Sequence, residues 1–216
     1  MGITAAAEKM DGIYRRQRFI YDATRRYYLL GRDRLIAQLG VPDAGTALEV
    51  GCGTARNLIR AARHYSSARL YGLDVSEEML RTARAAVARE GLGNRIVLAA
   101  GDATAFNAGG IFAFSRFDRV FISYTLSMMP AWETVAECAA SCIGPGGELH
   151  IVDFGDFAGY LHLFRHLQGA WLARFSVTPI PDFEVRIEAF AQRLDLKAET
   201  ERLYGGYAIR ARLIRG

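Results

Sequence analysis

The run Leu48-Glu49-Val50-Gly51-Cys52-Gly53-Thr54-Ala55 constrains this chain more than any other segment. Thr46 to Val50 is short and apolar and reads as a strand, the two glycines read as a tight turn, and Thr54 to Tyr65 reads as a helix. A strand that turns through glycines into a helix lets backbone approach a ligand closely and aims the free N–H groups of the helix start at it. The alternation continues along the chain. Arg69 to Leu73, Arg95 to Ala99, Phe117 to Ser123 and Glu148 to Phe154 read as further strands. Ser76, followed by Glu77 and Glu78, opens one intervening helix, and Pro130 opens another that runs to Cys142. This spacing predicts an α/β fold, a mostly parallel sheet with helices on both faces. Gly144-Pro145-Gly146-Gly147 is a turn. Leu194 to Leu203 and Tyr207 to Ile214, joined through Gly205-Gly206, predict a terminal antiparallel hairpin, for seven strands in all.

A length of 216 residues, 51% of them hydrophobic and 23% charged, suits one such domain. Met1 to Met10 lacks the apolar run of a signal peptide, and no stretch reaches the roughly 20 apolar residues of a membrane span. A cytoplasmic location is the expectation. Three cysteines, Cys52, Cys138 and Cys142, make an odd count without metal-ligand pairing, so neither a disulfide framework nor a metal is expected. Cys138 and Cys142 read as small apolar residues of a helix. A dinucleotide fingerprint needs a third glycine where Arg56 stands, which disfavours a nicotinamide cofactor.

Four motifs stand in order: Glu49-Val50-Gly51-Cys52-Gly53-Thr54, Gly72-Leu73-Asp74 at the end of the second strand, Gly101-Asp102-Ala103 after the third, and Gly144-Pro145-Gly146-Gly147-Glu148-Leu149 before the fifth. Together they resemble the class I, Rossmann-like methyltransferases; Ala55 stands where many members have glycine. The resemblance implies S-adenosyl-L-methionine as cofactor. It implies that Asp74 offers its carboxylate to the ribose hydroxyls, that Asp102 and the Ala103 N–H, next to Gly101, meet the adenine edge, and that Val75 and Met79 sandwich the ring. Gly51 and Gly53 would admit the methionine moiety, with Glu49, Cys52 and Ser123 in the same site.

The amino-terminal segment carries the charge asymmetry. Residues 1–40 hold eight basic and four acidic side chains, a surplus equal to the +4 of the whole chain. Tyr14, Arg18, Tyr21, Arg25, Tyr28 and Arg32 alternate at spacings of four and three, one stripe of a helix expected over residues 8–39 and bent near Gly31. Arginine at every second position of that stripe argues for a surface that meets phosphate or carboxylate. The run from Tyr21 through Arg25-Arg26-Tyr27-Tyr28-Leu29-Leu30-Gly31-Arg32 to Ile36, with Ser123-Tyr124-Thr125-Leu126-Ser127-Met128-Met129-Pro130 further on, resembles the bacterial betaine-lipid N-methyltransferases. Those enzymes trimethylate the amine of diacylglyceryl-homoserine. With that charge, the resemblance implies that residues 1–40 form a helical lid and a docking segment for an anionic membrane, with the chain cytoplasmic and peripherally associated with the inner membrane. Residues 41–216 would form the cofactor-binding domain; within it the aromatic run over 154–181, after the carboxyl end of the fifth strand, reads either as an ordinary helix packed on the sheet or as an apolar insertion over the substrate. It also implies that Tyr21 closes over the cofactor and that Arg32 pairs with the cofactor's carboxylate.

Transfer to an amine requires a neutral nucleophile aligned with the methyl group. Tyr21, Tyr28, Tyr124 and Asp153 are the candidates for receiving its proton or lining its path, whereas His150 lies deeper in its strand and reads as a core histidine. Two alternatives remain at this point: phosphatidylethanolamine or a soluble small molecule as the acceptor, and a nucleic-acid methyltransferase or binding module. Against the last, Ser123-Tyr124-Thr125-Leu126 stands where a base-flipping Asn-Pro-Pro-Tyr motif would follow the fourth strand, so no nucleic acid is expected.

Overall fold

In the computed structural model, which describes residues 28–215, seven strands form one sheet in the order β3-β2-β1-β4-β5-β7-β6. β1 (Thr46–Val50), β2 (Arg69–Asp74), β3 (Ile96–Ala100), β4 (Phe117–Ser123) and β5 (Ile143–Phe154) run parallel. β6 (Leu196–Leu203) and β7 (Ala208–Arg215) form the hairpin, and β7 pairs antiparallel with β5. This is the expected Rossmann-like arrangement. β1 is buried along nearly its whole length, as a central strand covered on both faces must be. β6, at the edge, carries Lys197, Glu199 and Glu201, charges that discourage edge-to-edge pairing.

The helices are α1 (Arg32–Ala37), α2 (Arg56–His64), α3 (Glu77–Arg89), α4 (Ala108–Phe112), α5 (Trp132–Ser141), α6 (His162–Ala173) and α7 (Phe183–Arg193). α3 begins as its sequence dictates: the Ser76 hydroxyl accepts from the Met79 N–H at 3.3 Å, and Glu77 and Glu78 occupy the positive first turn. α7 was not read from the sequence, although Phe183, Ile187, Phe190 and Ala191 recur at helical spacing and are buried.

Gly144 to Gly147 do make a turn, but it sits inside the long β5 as an irregularity. Phe117 pairs with Ile143 and Arg119 already with Glu148, and Gly146 has φ +64°. Beyond it Glu148 fastens the hairpin to the sheet. Its carboxylate takes two bonds from the Arg212 guanidinium, at 2.6 and 2.8 Å, and lies 2.8 Å from His150 Nε2. The Arg212 bonds pull the Glu148 carboxyl down to about 2, and burial lowers His150 to about 4, so the ring is neutral. His150 is a buried core residue, as its position predicts.

Of the helix expected over 8–39, the part up to residue 27 lies outside the described residues, as do Tyr14, Arg18, Tyr21 and Arg25 of its stripe. The break at Gly31 is present: φ is +85°, and an added Cβ would stand 2.9 Å from Leu203. After it, Leu35, Ile36 and Leu39 are buried in the core with β5 and α2. Residues 32–39 are therefore packed onto the sheet's core. Arg32 is buried, not on a surface stripe, because the turn at Gly31 directs it under the sheet's carboxyl edge.

Candidate active site

An open α/β sheet binds its ligand where the strand order reverses, outside the carboxyl ends of the strands. Here that point lies between β1 and β4, and a cavity of about 330 Å³ opens there. Glu49, Gly51, Cys52 and Gly53 line it from β1 and its turn, Asp74 and Val75 from the tip of β2, Gly101, Asp102 and Ala103 from the end of β3, and Ser123 and Tyr124 from β4. Arg32 enters from the amino-terminal side. Three of the four motifs, with the end of β4, thus converge on one hollow; Gly144 to Leu149 is not part of its lining.

The glycine turn is held by β2. The N–H groups of Gly51 and Cys52 both donate to Leu73 O, at 2.8 and 2.9 Å. The Gly53 N–H donates to Asp74 Oδ2 at 2.8 Å, and the Ser76 N–H to Asp74 Oδ1 at 3.0 Å. Asp74 therefore does two things at once: it fixes the turn and presents the outer lone pairs of both oxygens to the cavity. Asp102 closes its own turn, accepting from the Thr104 N–H and hydroxyl at 2.8 and 2.7 Å through one oxygen.

Glu49 is 1% exposed. Its Oε1 accepts from Asn57 Nδ2 at 2.7 Å, while Oε2 and Ser123 Oγ, both buried, have no hydrogen-bond partner among the described residues. Burial outweighs the Asn57 bond and the charge of Arg32, and pushes the Glu49 carboxyl up to about 8. Orphaned buried oxygens at the wall of a cavity fit a ligand that brings hydrogen-bond donors and positive charge. The proton is held more tightly in the folded chain than in the unfolded one. From about pH 4.5 the unfolded state loses it and the folded state keeps it, so stability falls as pH rises to about 8 and then levels. The shift corresponds to at most about 5 kcal/mol. Denaturant titrations should show the wild type losing stability between pH 6 and pH 8, and Glu49→Gln losing much less. A wild type that gains stability over that interval contradicts the assignment.

Other expected site residues are placed differently. Met79 is buried on α3 and does not line the cavity, because Ser76 caps the helix and turns Met79 into its first turn. Asp153 does not line it either. It is 2% exposed, its Oδ2 accepts from the Ser127 N–H at 3.1 Å and its Oδ1 from the Phe154 N–H at 2.8 Å. Burial raises it to about 6. Its work is to fasten the segment after β4, whose Thr125, Met128, Met129 and Pro130 form the far wall. Tyr124 is at the cavity with φ +56°, but its hydroxyl donates to Leu30 O, and burial drives its pKa well above 10. It anchors the amino-terminal chain and is no proton acceptor in this arrangement. Tyr28 stands edge-on to Trp171 at 4.8 Å and lines a narrower apolar seam with Phe154, Leu172, Phe175 and Val177. The seam shares Leu29, Tyr124 and Met128 with the main cavity. Tyr21 lies outside the described residues. Asn57, Arg56, Thr125 and Ser176 line the cavity without having been read from the sequence. Asn57 stands eight residues after Glu49, in the first turn of the helix that follows the glycine turn.

Among known families, residues 47–147 match the methyltransferase domain. Demethylmenaquinone methyltransferase of Geobacillus kaustophilus is 32% identical over 141 residues, 65% of this chain and 57% of that protein. Trans-aconitate 2-methyltransferase of Azoarcus sp. is 26% identical over 68% of this chain and 56% of its own length. The chain thus spans under two thirds of the curated relatives it matches. Among solved structures, the S-adenosylmethionine-dependent methyltransferase SibL superimposes with a TM-score of 0.70, at 22% identity, over 91% of this chain and 57% of its own. Phosphoethanolamine N-methyltransferase 2 of Haemonchus contortus, in complex with S-adenosyl-L-methionine, does so at 0.64 and 20% identity, over 80% and 38%. Residues 47–147 thus match a methyltransferase domain, the fold is that of the class I, S-adenosylmethionine-dependent methyltransferases, and the cofactor is S-adenosylmethionine.

Proposed function

We propose that the chain is an N-methyltransferase that acts on the amine of a diacylglycerol lipid and trimethylates diacylglyceryl-homoserine to the betaine lipid. The observation that carries this reading is the apolar seam of Tyr28, Phe154, Trp171 and Phe175, which shares Leu29, Tyr124 and Met128 with the wall of the cofactor cavity. An acceptor with a polar head and an apolar body meets apolar side chains beside the cofactor cavity; the seam itself, about 10 Å³, has to part to admit the apolar body. The sequence resemblance from Tyr21 to Ile36 selects the homoserine lipid over phosphatidylethanolamine.

S-adenosylmethionine supplies an electrophilic methyl group on a sulfonium. Asp74 would hold its ribose, Asp102 and Ala103 its adenine, and Arg32 its carboxylate, while Gly51 and Gly53 give the chain's backbone close approach. Catalysis then rests on alignment and exclusion of water. Tyr124 and Phe154, ring to ring at 4.7 Å, wall off the acceptor side, and aromatic faces suit an amine that gains positive charge. Tyr124 is committed to Leu30 and Asp153 is sealed behind Ser127, so neither is placed to take a proton. The amine loses its proton to solvent before it enters.

The test is an assay of the protein with labelled cofactor and each lipid in mixed micelles. Label in mono-, di- and trimethylated homoserine lipid is expected. At saturating cofactor, kcat/KM should rise about tenfold per pH unit up to the pKa of the acceptor amine, between about 8 and 10. Label only in the methylated phosphatidylethanolamine series moves the enzyme to that substrate. Label in neither lipid removes the lipid reading.

A further inference from the structure

α6 is a helix with almost no inside. Only Leu172 of its 12 residues is buried. Leu161 just before it is 83% exposed, and Leu163, Leu167 and Phe164 are 69%, 60% and 38% exposed. A water-soluble helix normally turns such side chains inward. Leu163, Phe164 and Leu167 fall within about 100° of arc on a 3.6-residue period, so they form one outward stripe, while Trp171, a turn further on, packs against Tyr28 at the seam. The charged residues of the segment are of one sign, although Arg165 falls about 100° round the helix from the stripe's edge. From Phe157 to Pro181 there is no aspartate or glutamate, whereas Arg165, Arg174, His162 and His166 are present. Among the described residues neither Arg165 nor Arg174 makes an ion pair.

We infer that the outward face of α6 docks on an anionic lipid bilayer, its leucines and Phe164 in the acyl boundary and its arginines among the headgroups. A helix of this length spans about 18 Å, well short of the ~30 Å hydrocarbon core, so it lies in the surface and does not cross it. A second copy of the chain is a poor occupant. A twofold contact would set arginines and histidines against their own kind with no carboxylate on either side. The face is also continuous with the site. Trp171, Leu172 and Phe175 line the apolar seam whose other wall, Tyr124 and Met128, belongs to the cofactor cavity. Docking by α6 sets the mouth of that seam at the level where a lipid's glycerol and amine lie. The inference rests on the lipid-acceptor reading for its purpose but is tested without any acceptor.

The experiment is sedimentation of the full chain, without cofactor, on phosphatidylcholine vesicles with and without roughly 30 mol% phosphatidylglycerol. Hydrogen exchange of α6 is followed alongside. Binding to the anionic vesicles is expected, with protection of α6 only when they are present. Leu163→Glu/Leu167→Glu should weaken binding at least tenfold while circular dichroism stays unchanged, since both side chains are exposed. Arg165→Gln/Arg174→Gln should weaken it about fivefold per arginine on anionic vesicles and leave neutral ones unaffected. Equal binding to both vesicle types, wild-type binding by the glutamate variant, or an α6 protected before vesicles are added overturns the proposal; the last result means that another copy or another part of the chain covers it. Vesicle binding without methylation of either lipid keeps the surface and removes the acceptor reading. Methylation in micelles without vesicle binding does the reverse.

Discussion

Asp74→Ala is expected to weaken S-adenosylmethionine binding at least 100-fold in calorimetry while far-UV circular dichroism stays unchanged. The size follows from what the carboxylate does. It is the acceptor for the Gly53 N–H at 2.8 Å and the Ser76 N–H at 3.0 Å, and it stands at the tip of β2 in the cavity wall. Hydrogen bonds to a charged group contribute about 1.5–3 kcal/mol each, and the truncation removes both the ligand's acceptor and the acceptor that orients the glycine turn. Two such losses amount to about 3–6 kcal/mol, hence two orders of magnitude or more in affinity. The fold should survive, because β2 keeps its ladder to β1 and β3 and its core residues Leu70 and Leu73. Asp74→Asn separates the two roles. Its amide oxygen still accepts from Gly53, while its NH2 faces the ligand's donors, so an intermediate loss of about tenfold is expected. Wild-type affinity in the alanine variant would sink the assignment of this site.

The fold was largely legible in the sequence because its signals are local. β1, β2 and β4 are apolar runs bounded by turn residues, and Ser76 announces α3. The cofactor half of the site was legible for a related reason: in a parallel sheet, residues at strand ends must meet, so Glu49, Asp74, Asp102 and Ser123 needed only their strands to be found. What the sequence concealed depends on side-chain direction. Met79 and Asp153 stand at plausible positions but point into the protein, and Tyr124 reaches the cavity with its hydroxyl committed to Leu30. Arg32 shows the converse. A stripe of tyrosine and arginine predicts a solvent face, and one left-handed glycine at Gly31 turns the last arginine inward. Periodicity extrapolates a straight helix and cannot register such a turn.

Gly51→Ala tests whether the turn itself, and not only its side chains, makes the site. Gly51 has φ +78°, where an alanine costs about 1–2 kcal/mol. Its Cβ would also stand 2.4 Å from Thr125 Oγ1 and 2.7 Å from Thr125 Cγ2, distances that real side chains do not tolerate. The turn cannot yield, because the Gly51 and Cys52 N–H groups are both tied to Leu73 O. Thr125 cannot withdraw freely, because the segment that bears it is fastened through the Ser127 N–H to Asp153. Strain and overlap together are expected to cost about 3 kcal/mol, which lowers the melting temperature by roughly 6–12 °C in a domain of this size, and to abolish measurable cofactor binding. Thr125→Ala provides the control. It removes Oγ1 and Cγ2 and leaves only Cβ, 3.1 Å from the new methyl, so the double variant should recover about half of the lost stability but keep the cost of the backbone. A double-mutant cycle reads that coupling directly, at about 1–2 kcal/mol. Additive effects in the cycle would mean that the two segments do not touch in solution, and a Gly51→Ala protein with wild-type melting and affinity would show that this turn does not shape the cavity.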